Sequence, residues 1–181
     1  LTSSATRVIR LTASDINVTI NKLNMVSNAV RVGTNDVRGI SIDIIDNVTL
    51  TLNNCSVDFT DASANDWAYA VNVTGGNEHN VTVNGGTYEG ANVINVRGAN
   101  NTVKVKDATL TSLYPDNDMY YGATIWVLEE NGSSVEATGN TLNGGNAVAF
   151  NLGTGTTLTE SNNTDNTTIV VAKVDGTYYT S

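Results

Sequence analysis

Residues 80–101 read NVTVNGGTYEGANVINVRGANN and hold one whole structural unit. The stretch divides into VTV, the turn NGG, then TYEG, the turn AN, then VINV and the closing RGANN. Short runs rich in Val, Ile and Thr, bounded by Gly and Asn, read as strands joined by turns. Three strands and three turns make a three-sided coil. Residues 134–155 repeat the plan as SVEAT, GN, TLNGGN, AVAFN and LGTG.

Working outward, the opening phrase recurs as NVTI at Asn17, NVTL at Asn47 and NVTV at Asn80, with looser copies TVKV at Thr102, SVEA at Ser134 and TLTE at Thr157. Its second residues are Val18, Val48, Val81, Val103, Val135 and Leu158, spaced 30, 33, 22, 32 and 23 residues apart. A basic period of 22 or 23 residues, lengthened at some steps by about ten, is the signature of a solenoid with loop insertions. Helices are nearly excluded, because Val, Ile and Thr dominate and no long stretch keeps a 3.6-residue period without Gly or Asn breaking it. Pro115 is the only proline, which suits strands that must donate every backbone N–H.

Alternation within strands assigns the interior. In the third strand the expected inward pairs are Val30 and Val32, Val71 and Val73, Ile94 and Val96, Ile125 and Val127, Val148 and Phe150, and Ile169 and Val171. Between them Arg31, Asn72, Asn95, Trp126, Ala149 and Val170 are expected to point outward. In the first strand the expected inward pairs are Val18 and Ile20, Val48 and Leu50, Val81 and Val83, Val103 and Val105, and Val135 and Ala137. Six coils at a strand spacing of about 4.8 Å make a rod about 30 Å long.

Composition bounds the function. The 181 residues suffice for one domain. With 40% hydrophobic and 15% charged residues, the chain is a folded one whose polarity comes from neutral side chains. A net charge of −9 opposes binding to a nucleic-acid backbone. One cysteine, Cys55, and one histidine, His79, leave no internal disulfide, no His-based zinc cluster and no Ser-His-Asp triad as an expectation. No apolar run reaches the length of a membrane span, so no membrane insertion is expected, and no basic-then-apolar leader opens the sequence. The chain reads as a mature domain or an excised piece of a longer protein.

From Val8 to Val171 this degenerate repeat resembles the right-handed parallel β-helix of the pectate-lyase-like superfamily, a fold that also occurs in large bacterial surface proteins. The resemblance implies an all-β solenoid of about six three-sided coils spanning residues 1–172. Residues 173–181 are similar to the segment that opens a linker or a following repeat. Extracellular location, secreted or on the bacterial cell surface, follows from the same resemblance.

Individual features divide between scaffold and site. Asn17, Asn47, Asn80 and Asn101 head the coils, and Asn suits left-handed turns and amide stacking better than it argues for glycosylation. Cys55, in NNCSVDF, reads as a small buried hydrophobe. Two insertions between second and third strands are DASANDWAYA after Phe59 and LYPDNDMYYGA after Ser112, flanking a shallow saddle at one corner. They gather Asp61, Asp66, Trp67, Tyr69, Tyr114, Asp116, Asp118, Tyr120 and Tyr121. Aromatic rings beside carboxylates suit sugar recognition, and the carboxylates alone suit Ca²⁺. Pinning of loops onto the coil is the structural alternative. Trp126, on an outward position, either packs under the preceding loop or extends an aromatic platform. Extra residues in the first long repeat fall within NDVRGISIDIID, without a definite place.

Catalysis is the competing expectation. Resemblance to pectate lyases would imply clustered Asp residues for Ca²⁺ with a basic proton abstractor, and resemblance to polygalacturonases several Asp with a Gly-His-Gly segment. Here His79 stands in NEHN, no Asp-Asp pair occurs, and Arg97, Lys104 and Lys106 adjoin no acidic cluster. Asp66 with Asp116 or Asp118 remains the pair an inverting hydrolase would use. The reading favours a non-catalytic, cofactor-free surface module, adhesin-like or stalk-like. Its expected partners are carbohydrate, such as a host or cell-surface glycan, and neighbouring domains of the parent protein. A polysaccharide lyase or glycoside hydrolase and a trimeric tailspike-like segment are the alternatives.

Overall fold

The computed structural model describes residues 1–32, 35–60, 67–114, 122–128, 132–168, 171–174 and 177–180. Its described residues form strands and no helix. In chain order these are β1 (Thr2–Ser3), β2 (Arg7–Leu11), β3 (Asn17–Asn21), β4 (Asn24–Ser27), β5 (Val37–Ile44), β6 (Thr49–Phe59), β7 (Ala68–Gly75), β8 (Asn80–Gly90), β9 (Asn92–Val96) and β10 (Thr102–Lys106). There follow β11 (Thr109–Ser112), β12 (Ala123–Val127), β13 (Ser134–Thr138), β14 (Thr141–Gly144), β15 (Val148–Leu152), β16 (Thr157–Ser161), β17 (Thr164–Thr167), β18 (Val171–Val174) and β19 (Thr177–Thr180).

Two parallel sheets share the chain. Sheet A has eleven strands, with β1-β4-β6-β8-β10-β13-β16 as its path and β3, β11, β14 and β17 attached. Sheet B has six strands in the order β15-β12-β9-β7-β5-β2. Each of the first five repeats visits sheet A and then sheet B, so its strands pair with those of neighbouring repeats. The inward residues of both sheets merge in one hydrophobic core.

Register fixes the repeat. Val18, Leu50, Val81, Val103, Val135 and Leu158 lie in one row of sheet A. Bonds between successive repeats accordingly join residues 32, 31, 22, 32 and 23 apart. The expected inward pair Val48 and Leu50 is therefore displaced by two residues: Leu50 and Leu52 occupy the row positions. Val48 is buried one step earlier, beside His79. A slip of two residues leaves every side chain on its own face, so alternation cannot detect it.

The third strand holds as expected in the middle repeats, where Val71 and Val73 pair with Ile94 and Val96, and these with Ile125 and Val127. It differs at both ends. Val30 and Val32 are 57% and 72% exposed and outside sheet B; Ile40 and Ile42 of β5 take the inward positions. Thus NDVRGISIDIID contains the strand itself, and the extra residues are 28–36. In the fifth repeat Phe150 and Leu152 pair with Ile125 and Val127, leaving Val148 opposite Ala123 on the other face. Ala149 belongs to the core, and Asn151 takes the outward position opposite Trp126. Val171 pairs antiparallel with Thr180 in the β18–β19 hairpin, outside sheet B. Ile169 and Val170 lie outside the described residues.

Two corners repeat a left-handed backbone residue in all six repeats. One corner is Asp15, Asn47, Glu78, Asn100, Gly132 and Gly155, with φ from 55° to 81°. The other is Lys22, Asn54, Gly85, Asp107, Gly139 and Asn162, with φ from 50° to 68°. Asn, Asp and Gly tolerate this geometry best, which explains the Asn-rich composition. Of the four Asn residues expected there, only Asn47 is left-handed; Asn17 and Asn80 begin strands, and Asn101 is buried.

Immediately after each of these corners, side chains cap the backbone of the neighbouring repeat. The Val48 N–H donates to His79 Nδ1 (3.2 Å), the His79 N–H to Asn101 Oδ1 (2.9 Å) and the Asn101 N–H to Ser133 Oγ (3.1 Å). At the second corner the Ala108 N–H donates to Asn140 Oδ1 (3.0 Å) and the Asn140 N–H to Asn163 Oδ1 (3.0 Å). Each bond satisfies a buried donor where the strand ladder is interrupted.

His79 makes this ladder sensitive to pH. With Nδ1 accepting from Val48, the proton sits on Nε2, 3.2 Å from the Gly75 carbonyl. Burial lowers its pKa below the ordinary 6.5, against opposing effects from Gly75, Asp46 and Ile45. Below about pH 6.5 the unfolded chain binds a proton that the folded chain rejects. Stability fully present above that pH should therefore fall as the pH drops toward the depressed folded pKa. Asn101 makes the same two kinds of bond in the next repeat, to the His79 N–H and the Arg97 carbonyl. His79→Asn should then flatten the slope of urea midpoints between pH 7 and 5.5. Equal slopes for the two proteins would refute the assignment.

Candidate functional site

Sheet B has an outer face that is buried as thoroughly as its inner one. Strands β5, β7, β9 and β12 are buried along nearly their whole lengths. Register places Arg7, Arg38, Tyr69, Asn92, Ala123 and Val148 in one outer row. A second outer row holds Arg10, Ser41, Asn72, Asn95, Trp126 and Asn151. The face thus grades from guanidinium, through amide, to apolar.

Its covering residues come from the connections that lead from sheet A into sheet B. Trp67, in the insertion after Phe59, packs with Leu128 on a small cluster of Ala123, Trp126 and Val148. Arg31, from the connection between β4 and β5, lies 5.5 Å from the Trp67 ring centroid, a cation–π distance. Asp36 lies 3.0 Å from Arg38 and 3.9 Å from Arg31. Arg10 is paired with Asp43 at 2.5 Å.

Amides form the middle of the face. Asn95 Nδ2 donates to Asn72 Oδ1 (2.6 Å), and Asn72 Nδ2 donates to Thr74 Oγ1 (2.9 Å). Asn92 Oδ1 accepts from the Ala123 N–H (3.0 Å). Further polar atoms here are buried without a partner: Asn92 Nδ2, Asn95 Oδ1, Ser41 Oγ, and Nε and Nη1 of Arg38. Buried polar atoms are normally satisfied, so this concentration on one face demands a physical cause. Burial, reinforced by Asp36 and opposed by Arg97, Arg38 and Arg31, raises the Tyr69 pKa and keeps its phenol neutral.

Of the aromatic and acidic residues expected at the loop corner, the structure brings Trp67 and Trp126 together and places Tyr69 on the same face. Trp126 is only 5% exposed, so it packs under neighbouring chain and forms no open platform. Tyr114 is buried with the hydrophobic core. Asp61, Asp66, Asp116, Asp118, Tyr120 and Tyr121 lie outside the described residues, as does Pro115. Among the described residues no three His, Cys, Asp or Glu side chains gather as metal ligands. Cys55 is buried, its Sγ 3.4 Å from the Ile20 carbonyl.

Sequence reasoning missed Arg38, Ser41 and Asn92. A signal was present: AYAVNV, ANVINV and ATIWV are nearly unbroken runs of neutral or apolar residues. Such runs mark parallel strands covered on both faces, whereas one-sided burial gives strict alternation.

No family model, no curated protein and no solved structure matches the chain.

Proposed function

We propose that the chain is a right-handed parallel β-helix of six three-sided coils, a non-catalytic display module of a secreted or cell-surface bacterial protein, and that it binds carbohydrate on the outer face of sheet B. Two left-handed corners recurring in all six repeats support the solenoid. The observation that carries the binding reading is the set of unpartnered amide, hydroxyl and guanidinium groups on the face that the half-buried Trp67 borders. Sugars need both partners: rings for apolar faces and fixed polar groups for hydroxyls.

One observation favours a second, enzymatic reading. Asp58 and Glu89 directly follow the paired Val57 and Tyr88 on adjacent strands of sheet A. Neighbouring strands lie about 4.8 Å apart, near the carboxylate separation of retaining glycosidases. Burial first, and then Asp58, raises the pKa of Glu89, the division of roles such an acid and nucleophile require.

A glycan array run beside a glycoside-hydrolysis assay separates the two readings. Binding without turnover, weakened by Asn95→Ala, is the expected result. Turnover abolished by Glu89→Gln would overturn the display reading in favour of the enzyme.

A further inference from the structure

We infer that Arg7 and Arg38 form a binding site for an oxyanion, a carboxylate or sulfate group carried by the glycan, an inference that rests on the carbohydrate reading of this face. The two residues are register partners on β2 and β5, so their side chains leave adjacent strands on the same side. Arg38 is 8% exposed, and Arg7 is half-buried toward the edge of the sheet.

Their donors are not consumed by the fold. Arg38 gives one nitrogen to Asp36, while its Nε and Nη1 are buried without partners. Nε of Arg7 is likewise buried and unpartnered, and its Nη1 reaches only Thr6 Oγ1 at 3.5 Å. No carboxylate among the described residues lies within ion-pair distance of Arg7. Among the described residues, Arg10, Arg31 and Arg38 pair with two carboxylates, Asp36 and Asp43, and Arg7 with none. This excess of positive charge stands in a chain whose net charge is −9.

Desolvating two like charges side by side is unfavourable unless an opposite charge joins them. Burial, followed by repulsion from Arg38 and Arg10 and opposed by Asp43 and Asp36, lowers the pKa of Arg7. Guanidinium forks match the planar or tetrahedral oxygens of carboxylate and sulfate, and such charge-assisted bonds are the strong ones. Ser41, on the same strand in the neighbouring outer row, carries a further buried and unpartnered hydroxyl. Arg7, at the less buried end, gives the ligand its way in.

The test is calorimetric titration of the full chain with sodium sulfate, sodium glucuronate and glucose, in sodium chloride of matched ionic strength. Saturable binding of sulfate and glucuronate is expected, at least tenfold weaker in Arg7→Gln and in Arg38→Gln. The Arg7→Gln change, at the half-buried position, keeps the test decisive if loss of Arg38 unfolds the chain. Equal responses in wild type and in Arg7→Gln, or a response matched by chloride, would overturn the inference. If neutral glycans bind on the array while both anions fail, the oxyanion site is refuted and the carbohydrate reading stands. Anion binding without any glycan binding refutes that reading and supports the site.

Discussion

Gly98→Ala should lower the unfolding free energy by about 3 kcal/mol or more, the range reached when backbone strain and a hard clash coincide. Gly98 adopts φ +96°, a conformation that side chains avoid. A Cβ built there lies 1.7 Å from the carbonyl oxygen of Gly76 in the preceding repeat. Gly76 in turn has φ +91°, with its own Cβ position 1.6 Å from the Ile45 carbonyl oxygen. The obstructing atoms are backbone. Relief would require separating two repeats, which breaks the pairing on both sides of the corner. Gly145→Ala is the control, since nothing lies within 4 Å of its Cβ position; a change within about 0.5 kcal/mol is expected there. Urea unfolding followed by circular dichroism reads both variants. A Gly98→Ala protein as stable as the Gly145→Ala protein would show that the repeats do not approach so closely.

Leu110→Ala is the second large effect, at about 2–5 kcal/mol. Leu110 is fully buried in a row that runs Met25, Val57, Tyr88, Leu110, Leu142. Removing its isobutyl group leaves a void between Tyr88 and Leu142, both of which are held by their own strands and cannot close it. The same substitution at Leu158, 38% exposed in the last repeat, should cost under about 1 kcal/mol. That contrast reflects the stack: an interior repeat is packed from both sides, a terminal one from one side. The row ends at Asp165, and the neighbouring row through Ala137 ends at Glu160. Glu160 and Asp165 thus bring charge into rows that are apolar in the preceding repeat.

What could be read in the sequence follows from what strand periodicity encodes. The parallel stacking and the inward residues of the middle repeats were legible, because Val71, Val73, Ile94, Val96, Ile125 and Val127 alternate cleanly between fixed turns. The row through Leu50 was not, since NVTLTL offers Val48, Leu50 and Leu52 at the same two-residue interval. Only the corner chooses between them: Asn47 is left-handed and Asn17 is not. Likewise AVRV at 29–32 and GISI at 39–42 compete for one strand, and the longer apolar run prevails through burial of Ile40 and Ile42. The site was half legible. Trp67, Tyr69 and Trp126 were visible as aromatics near insertions, but Arg38 lay in a stretch without a definite place and Asn92 read as part of a turn, because the cover over sheet B comes from residues distant in sequence.

Everything above depends on six repeats stacked in one register, and a distance along one row tests this most directly. Thr19, Thr51, Thr82, Lys104, Glu136 and Thr159 form an outward row of sheet A. With Cys55 replaced by alanine, spin labels at positions 19 and 159 can be read by pulsed electron resonance. Five strand spacings place the two backbone sites about 24 Å apart, and a single narrow distribution near that value is predicted. A broad distribution, or one centred beyond about 35 Å, would contradict the stacked register.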